Sequence, residues 1–281
     1  MKSLTKEERK GRLASFFALK RKNLAIPYAL FLLLFVIVPL LLIVWYAFTD
    51  GNGNFSFAAV VSFFTTASKW NVLLMSLFVG LQTTIICLLL GYPAAYFLAN
   101  RKYNKNAVLV LLFIMPMWIN FVIRTGATRD LLLWIGLAGG DHPWAATLIG
   151  MVYNYLPFTI LPLYTTMLKL DKSQVEAAAD LGANPFQTFI KSVLPQSLPG
   201  IVSAAEMVFM PVMSSYVISD TLSEGKITLF GNSIYLNFTN SQWSEGSFMA
   251  LIMLFIIGVS MLLTHRFSGS DAAEARGGNL W

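Results

Sequence analysis

Hydrophobic and polar positions alternate along this chain on the scale of whole segments rather than single turns. Residues 26–48 and 70–100 contain no Asp, Glu, Lys or Arg, and the runs 106–123, 144–168 and 247–264 are equally free of them. A sixth run, 199–219, is interrupted by one carboxylate, Glu206. A helix needs about 20 apolar residues to cross a hydrocarbon core. The pattern therefore predicts an all-α integral membrane fold with six transmembrane helices. The 26–48 run is too long for a signal-peptide core and no small-residue cleavage site follows it, so a retained first helix is expected. Gly91-Tyr92-Pro93 predicts a kink in the second helix, or the point where it leaves the membrane. The third helix is expected to stop at Arg124. The apolar stretch DLLLWIGL (130–137) is too short to span and is expected to lie along the interface as a short helix.

Between the fourth and fifth runs the pattern changes. Residues 169–198 hold VEAAADLGANPFQTFIKSVLP (175–195), an alanine-rich turn, a glycine and a short amphipathic run. Ser173 followed by Glu176 reads as a capping box, and alanines 177–179 favour helix. Gly182 falls where that helix should end, in a position that favours left-handed backbone. Asn184 can cap a second helix with Pro185 at its first position. Phe186, Phe189, Ile190, Val193 and Leu194 then share one apolar face, and Pro195 and Pro199 are expected to break the chain before the fifth span. The segment thus encodes helix, glycine corner, helix.

Composition supports the membrane class. Of 281 residues, 56% are hydrophobic and 12% charged, against about 25% charged in a soluble domain. The net charge of +6 raises nucleic acid as a partner, but its distribution explains it otherwise. Placing the N-terminus in the cytoplasm puts 16 of the 20 Lys and Arg on the inside; only Lys69, Arg124, Arg129 and Lys226 fall outside. Inside-positive asymmetry of this kind fixes topology. It implies a multi-pass protein of the cell membrane with both termini cytoplasmic and no nucleic-acid partner. Residues 1–25 form a basic cytoplasmic tail, 26–266 the transmembrane domain with 169–198 on its cytoplasmic side, and 267–281 a second cytoplasmic tail. The outside loops are then 49–69, 125–143 and 220–246.

Little material for catalysis is present. Cys87 is the single cysteine and lies inside an apolar run, which excludes an intramolecular disulfide. His142 and His265 have no metal-ligand spacing, and no nucleophile, histidine and acid set emerges. No G-x4-G-K-[ST] phosphate loop occurs. The chain is expected to be neither an ATPase nor another enzyme, and to carry no metal or cofactor of its own.

Glu176-Ala177-Ala178, Gly182 and Leu194-Pro195 match the EAA motif of ABC importer permeases, E-A-A-x3-G-x9-I-x-L-P, with Ser192 in the isoleucine place. LGYPAAYFLA (90–99), PMWINFVIRT (116–125) and residues 153–183 resemble the PotB-type permeases of spermidine/putrescine importers. The resemblance runs from the first span to the sixth. It implies that 173–194 is a coupling element seated in a groove of an ATP-binding subunit, through Glu176, Ala177, Ala178 and Gly182, with Asp180 beside them. It implies two PotA-type ATPases that hold ATP and Mg, a PotC-type second permease, a PotD-type external binding protein, and a polyamine as cargo.

A substrate path is read from side chains. An acid at the bilayer centre costs about 2.5–3.5 kcal/mol and normally faces the protein interior or water, so Glu206 is placed on the path. Trp118, Asn120 and Tyr153, with Asn154 and Tyr155, offer aromatic and polar surface near the third and fourth spans; Tyr216 and Asp220 are candidates for an entry gate. Ammonium groups are attracted by carboxylates and aromatic faces. Arg124 is awkward for a cation and is expected to pair with an acid at the outer surface or to meet the binding protein. Asp130, Asp141, Glu224 and Glu245 are further docking candidates. Rival readings are the same machine with an anion, ferric iron or sugar as cargo, and an ion-gradient-driven transporter.

Overall fold

A computed structural model describes residues 21–268 apart from Asn52 and 101–107. Nearly all of the two expected tails, and the basic residues Arg101, Lys102 and Lys105, lie outside the described residues. The described chain is helical. Its one β contact among these residues is an isolated bridge between Thr49 and Phe55. Helix α1 runs through Arg21–Leu32, a π turn at Leu33–Ile37, and Val38–Ala47. Then follow α2 (Ala58–Thr65), α3 (Ala67–Ala99), α4 (Val108–Trp118, ending in a 3-10 turn), α5 (Phe121–Trp134), α6 (Pro143–Met167), α7 (Lys172–Asp180), α8 (Pro185–Ser214), α9 (Val217–Ser223), α10 (Phe230–Thr239) and α11 (Trp243–Ser268). Five of these, α1, α3, α6, α8 and α11, are long and apolar enough to span alone; α4 and α5 form a sixth, bent by 96°.

Helices α3, α6 and α8 pack together as the core. Val79 and Cys87 meet Met151, Val208 and Val212 toward one end. Ala95 and Leu98 meet Ile160, Leu163 and Ala204 toward the other. Inside this core, hydroxyls fold back onto their own helix: Thr84 Oγ1 donates to Gly80 O at 2.7 Å and Thr159 Oγ1 to Tyr155 O at 3.4 Å. Bonds of this kind satisfy a buried hydroxyl without water, whereas Thr83 Oγ1 and Thr147 Oγ1 are buried without a hydrogen bond among the described residues. Gly91 is required by close approach: a Cβ there would sit 2.8 Å from Thr159 Cγ2. Helix α3 continues through Gly91-Tyr92-Pro93 as one 33-residue helix. At about 1.5 Å per residue it exceeds a hydrocarbon core of about 30 Å. Helix α11 leans on α1, α10 and α8. At its start Lys69 Nζ lies 2.7 Å from Glu245 Oε2, and Ser62 Oγ donates to Glu245 Oε1 at 3.0 Å. Glu245, an expected docking acid, is thus engaged within the chain.

Several sequence expectations are corrected. The third span does not stop at Arg124: it breaks at Ile119-Asn120, and Arg124 is buried in α5. DLLLWIGL is not a separate helix, since its first half completes α5, which closes at Gly136 with φ +80°. The fifth span begins at Pro185 and ends at Ser214, short of residue 219. Pro195 and Pro199 do not break it. A π turn at Phe189–Val193 ends two residues before Pro195. The wide turn relieves the clash a proline ring makes with the carbonyl four residues back. The same turn rotates the apolar face. Val193 is buried and Phe189 lies edge-on to Tyr92 at 5.6 Å, whereas Phe186 and Ile190 are exposed. Thr188 and Ser192 take the buried positions instead.

Candidate functional site

Two features stand at opposite ends of α8. The first is the corner between α7 and α8. Asp171, rather than Ser173, caps α7: its Oδ1 accepts from the Ser173 amide at 3.0 Å and the Ser173 hydroxyl at 2.7 Å. Those two bonds, the hydroxyl's first, hold the Asp171 carboxyl below the usual carboxylate range. A carboxylate one residue outside the helix also outcompetes serine because it adds charge at the positive end of the helix. The Asp171 amide donates to Gln196 Oε1 at 2.9 Å, which ties α7 to α8.

Helix α7 ends through Gly182, whose φ of +80° is left-handed. Its amide donates to Ala179 O at 2.9 Å and the Ala183 amide to Ala178 O at 3.1 Å. Asn184 and Gln187 then form a reciprocal capping box at α8, at 2.8 and 3.1 Å. The corner is thus built by local bonds on both sides. Glu176, Ala177, Asp180 and Gly182 are exposed on it and Ala178 is half-buried. Leu181, 89% exposed, and Phe186, 69% exposed, flank the glycine. Periodicity assigned Phe186 to a buried face and gave no reason to single out Leu181.

The second feature is a cavity of about 690 Å³ where α4, α5, α6, α8 and α9 converge. Of the expected path residues, Trp118, Asn120 and Tyr216 line it, together with Phe121, Tyr155 and Phe158. Asn120 Oδ1 accepts from the Val122 amide at 2.8 Å and so caps α5 across the break. Tyr216 stacks on Tyr235 at 4.7 Å. Tyr153 lies beside the cavity rather than in its wall, under the Arg124 guanidinium at 5.7 Å. Asp220 is exposed on α9 and does not line the cavity. Glu206 sits in α8, roughly 12 Å along the helix from the cavity residue Ser214. Its carboxylate has no hydrogen bond or ion pair among the described residues, and it is half-buried.

The sequence missed the role of Arg124 and Asn154. Arg124, the charged member of the lining, is 7% exposed and pairs with no acid among the described residues. Its Nε donates to Asn154 Oδ1 at 2.8 Å and its Nη1 to Pro116 O at 2.6 Å. The expectation of an acidic partner fails because Arg124 finds neutral acceptors instead: Pro116 O, which also accepts from the Ile119 amide at 3.2 Å, and the Asn154 side chain on α6.

Residues 13–270 match the family model described as "Binding-protein-dependent transport system inner membrane component". The spermidine/putrescine transport system permease protein PotB of Escherichia coli (strain K12) is 35% identical over 260 residues, covering 84% of this chain and 94% of that protein. PotB of Haemophilus influenzae is 33% identical over 259 residues, covering 84% and 89%. Among solved structures, a bacterial alginate ABC transporter in complex with alginate pentasaccharide-bound periplasmic protein aligns with a TM-score of 0.67, over 87% of this chain and 92% of that one. At 15% identity that likeness concerns the fold alone. The family model covers most of the chain and PotB relatives match along 84% of it, so the chain is a member of the binding-protein-dependent transport system inner membrane component family.

Proposed function

We propose that the chain is the PotB-type subunit of an ATP-driven polyamine importer, taking spermidine or putrescine through a pore shared with a PotC-type permease. Two PotA-type ATPases bind from the cytoplasm, one of them at the α7–α8 corner of this chain, and hold the ATP and Mg. A PotD-type binding protein delivers cargo at the cavity end. The Lys and Arg asymmetry supports this orientation, with both termini inside. The names of the relatives support the cargo.

One observation carries the mechanism. The exposed corner and the cavity are the two ends of a single helix, α8, of 30 residues. At 1.5 Å per residue it extends about 45 Å. Leu181 and Phe186 beside Gly182 offer an apolar knob for an ATPase groove, and Glu176 and Asp180 offer charge at its rim. A push on the corner moves α8 as a rod, and with it Pro211, Ser214 and the junction to α9 in the cavity wall. The helix continues through Pro195 and Pro199 without a break. ATP-driven closure of the ATPases thereby changes the cavity, and the contacts that differ between the two states are the source of the coupling.

The cavity attracts ammonium groups through the faces of Trp118, Phe121, Tyr155, Phe158 and Tyr216 and through the carbonyl end of α8. Its wall carries no carboxylate, so affinity stays modest and cargo can leave. Glu206, one stage further along α8, supplies the negative charge. Reconstitution of the four-component complex, with labelled spermidine competed by putrescine, sugars and anions, tests the cargo. Glu206→Gln should lower uptake at subsaturating spermidine while assembly is intact; unchanged uptake removes Glu206 from the path. Arg124 in the wall favours a second reading, an anionic cargo. Competition by anions and not by putrescine would establish it.

A further inference from the structure

The 96° bend between α4 and α5 interrupts the helical ladder at the end of α4, where Pro116 O keeps one backbone partner, the Ile119 amide at 3.2 Å, and has its second acceptor position open. Arg124 reaches back across the break. Nη1 donates to Pro116 O on the α4 side at 2.6 Å. Nε donates to Asn154 Oδ1 on α6 at 2.8 Å, and Nη2 reaches Asn154 O at 3.5 Å. Asn154 is itself aimed by its Nδ2 donating to Gly150 O at 2.8 Å. On α5, Thr128 Oγ1 donates to Arg124 O at 2.8 Å. Both side chains are buried, Arg124 at 7% and Asn154 at 2% exposure.

A buried guanidinium with neutral acceptors alone gives up solvation without the return of an ion pair. Its geometry is the return. A guanidinium fork addresses two elements at fixed angles, which a lysine ammonium on a flexible stem does not. We propose that Arg124 is a positioning residue: a strut that locks the elbow of the broken span to α6 and thereby holds Trp118 and Asn120 in the cavity wall. Elbow and α6 then move together when the cavity changes shape. The proposal rests on the cavity being part of the transport path, but its first test needs no cargo.

Thr125 is fully buried on α5 and bonds within its own helix, Oγ1 to Phe121 O at 2.7 Å. Thr125→Cys, in a Cys87→Ala background, reports elbow opening through its alkylation rate by a water-soluble maleimide in the assembled complex. Asn154→Ala keeps the guanidinium and its tie to Pro116; Arg124→Lys keeps the charge and loses the fork. Each should raise the labelling rate on the order of tenfold, the effect of losing a hydrogen bond to a charged group, and the double variant should add nothing further. Wild-type labelling in Arg124→Lys would show that charge suffices and overturn the strut, as would multiplicative effects in the double variant. In uptake, Asn154→Ala should raise KM more than it lowers kcat. A fall in kcat alone means fewer folded complexes, and that also overturns it. Failure of polyamine uptake in every variant and the wild type would strike the cargo reading and leave the labelling result standing.

Discussion

Gly182→Ala isolates the backbone of the α7–α8 corner. A Cβ at this position meets nothing within 4 Å, so no clash enters the comparison. What remains is the left-handed conformation, φ +80°, which costs an L-residue roughly 1–2 kcal/mol. The corner is held by two backbone bonds, Gly182 to Ala179 O and Ala183 to Ala178 O. Each contributes a net of about 0.5–1.5 kcal/mol. Penalty and restraint are therefore of the same size, and alanine takes the corner from mostly formed to nearly balanced with open conformations. A partner that binds only the formed corner sees its apparent Kd rise as that fraction falls, by several-fold to about tenfold. The assay is titration of purified ATPase subunits into the permease pair in nanodiscs, with hydrogen exchange over residues 177–183 as the local readout. Gly182→Asn provides the control, because asparagine enters left-handed backbone more readily than alanine. Asparagine should fall between glycine and alanine in both readouts. Equal losses for Ala and Asn, or a wild-type Kd for Ala, would refute the argument that φ at this position governs docking.

Two further outcomes follow from packing and capping. Gly91→Ala places a Cβ 2.8 Å from Thr159 Cγ2; overpacking of this kind costs about 1–3 kcal/mol and should lower the melting temperature of the purified protein, with Thr159→Ser in the same chain recovering much of the loss. Asp171→Ala should raise hydrogen exchange in α7 more than Ser173→Ala does, since the aspartate is the cap. With its carboxyl held low in the folded chain, mainly by the Ser173 hydroxyl, the cap's contribution is fully present above the ordinary aspartate range. It is lost as pH falls through the lowered value, so the difference between Asp171→Ala and wild type should vanish in acid.

What the sequence made legible follows from how each feature is encoded. Spans are encoded by composition over about 20 residues, and five of the six apolar runs fall on helices long and apolar enough to cross a membrane, the remaining run falling on the bent α4–α5 pair. The corner is encoded by residues with one conformational meaning, and Gly182, Asn184 and Pro185 stand where that meaning puts them. Misreadings fall where two local rules compete. At 171–173 both an aspartate and a serine can cap, and the outcome depends on which residue starts the helix. At Pro195 the rule that proline ends a helix loses to a π turn five residues long, which has no composition signature. At Ile119-Asn120 the hydropathy is continuous while the backbone turns through 96°. The residue that ties that turn to α6, Arg124, looks in sequence like the end of a span.

That last misreading bears on how the protein works. Non-helical backbone at membrane depth survives only where it is buried in protein or lines a cavity, and the break at Ile119-Asn120 does the latter. The cavity wall is therefore made from two kinds of element. One is stiff, the end of α8 whose other end is the exposed corner. The other is jointed, the α4–α5 elbow, held shut by Arg124 against α6. A displacement of α8 alone would change the distance between Pro211 and Phe158 across the wall while leaving Trp118 and Asn120 in place. With the strut intact, the elbow is bound to α6, and α6 packs along α8. Force applied at Gly182 then reaches Trp118 through two packed helices rather than through the loop between them. Removing the strut should uncouple the elbow without loosening the corner, so Arg124→Lys should leave ATPase docking at its wild-type Kd. A parallel loss of docking would mean that α8 is not the rigid connection.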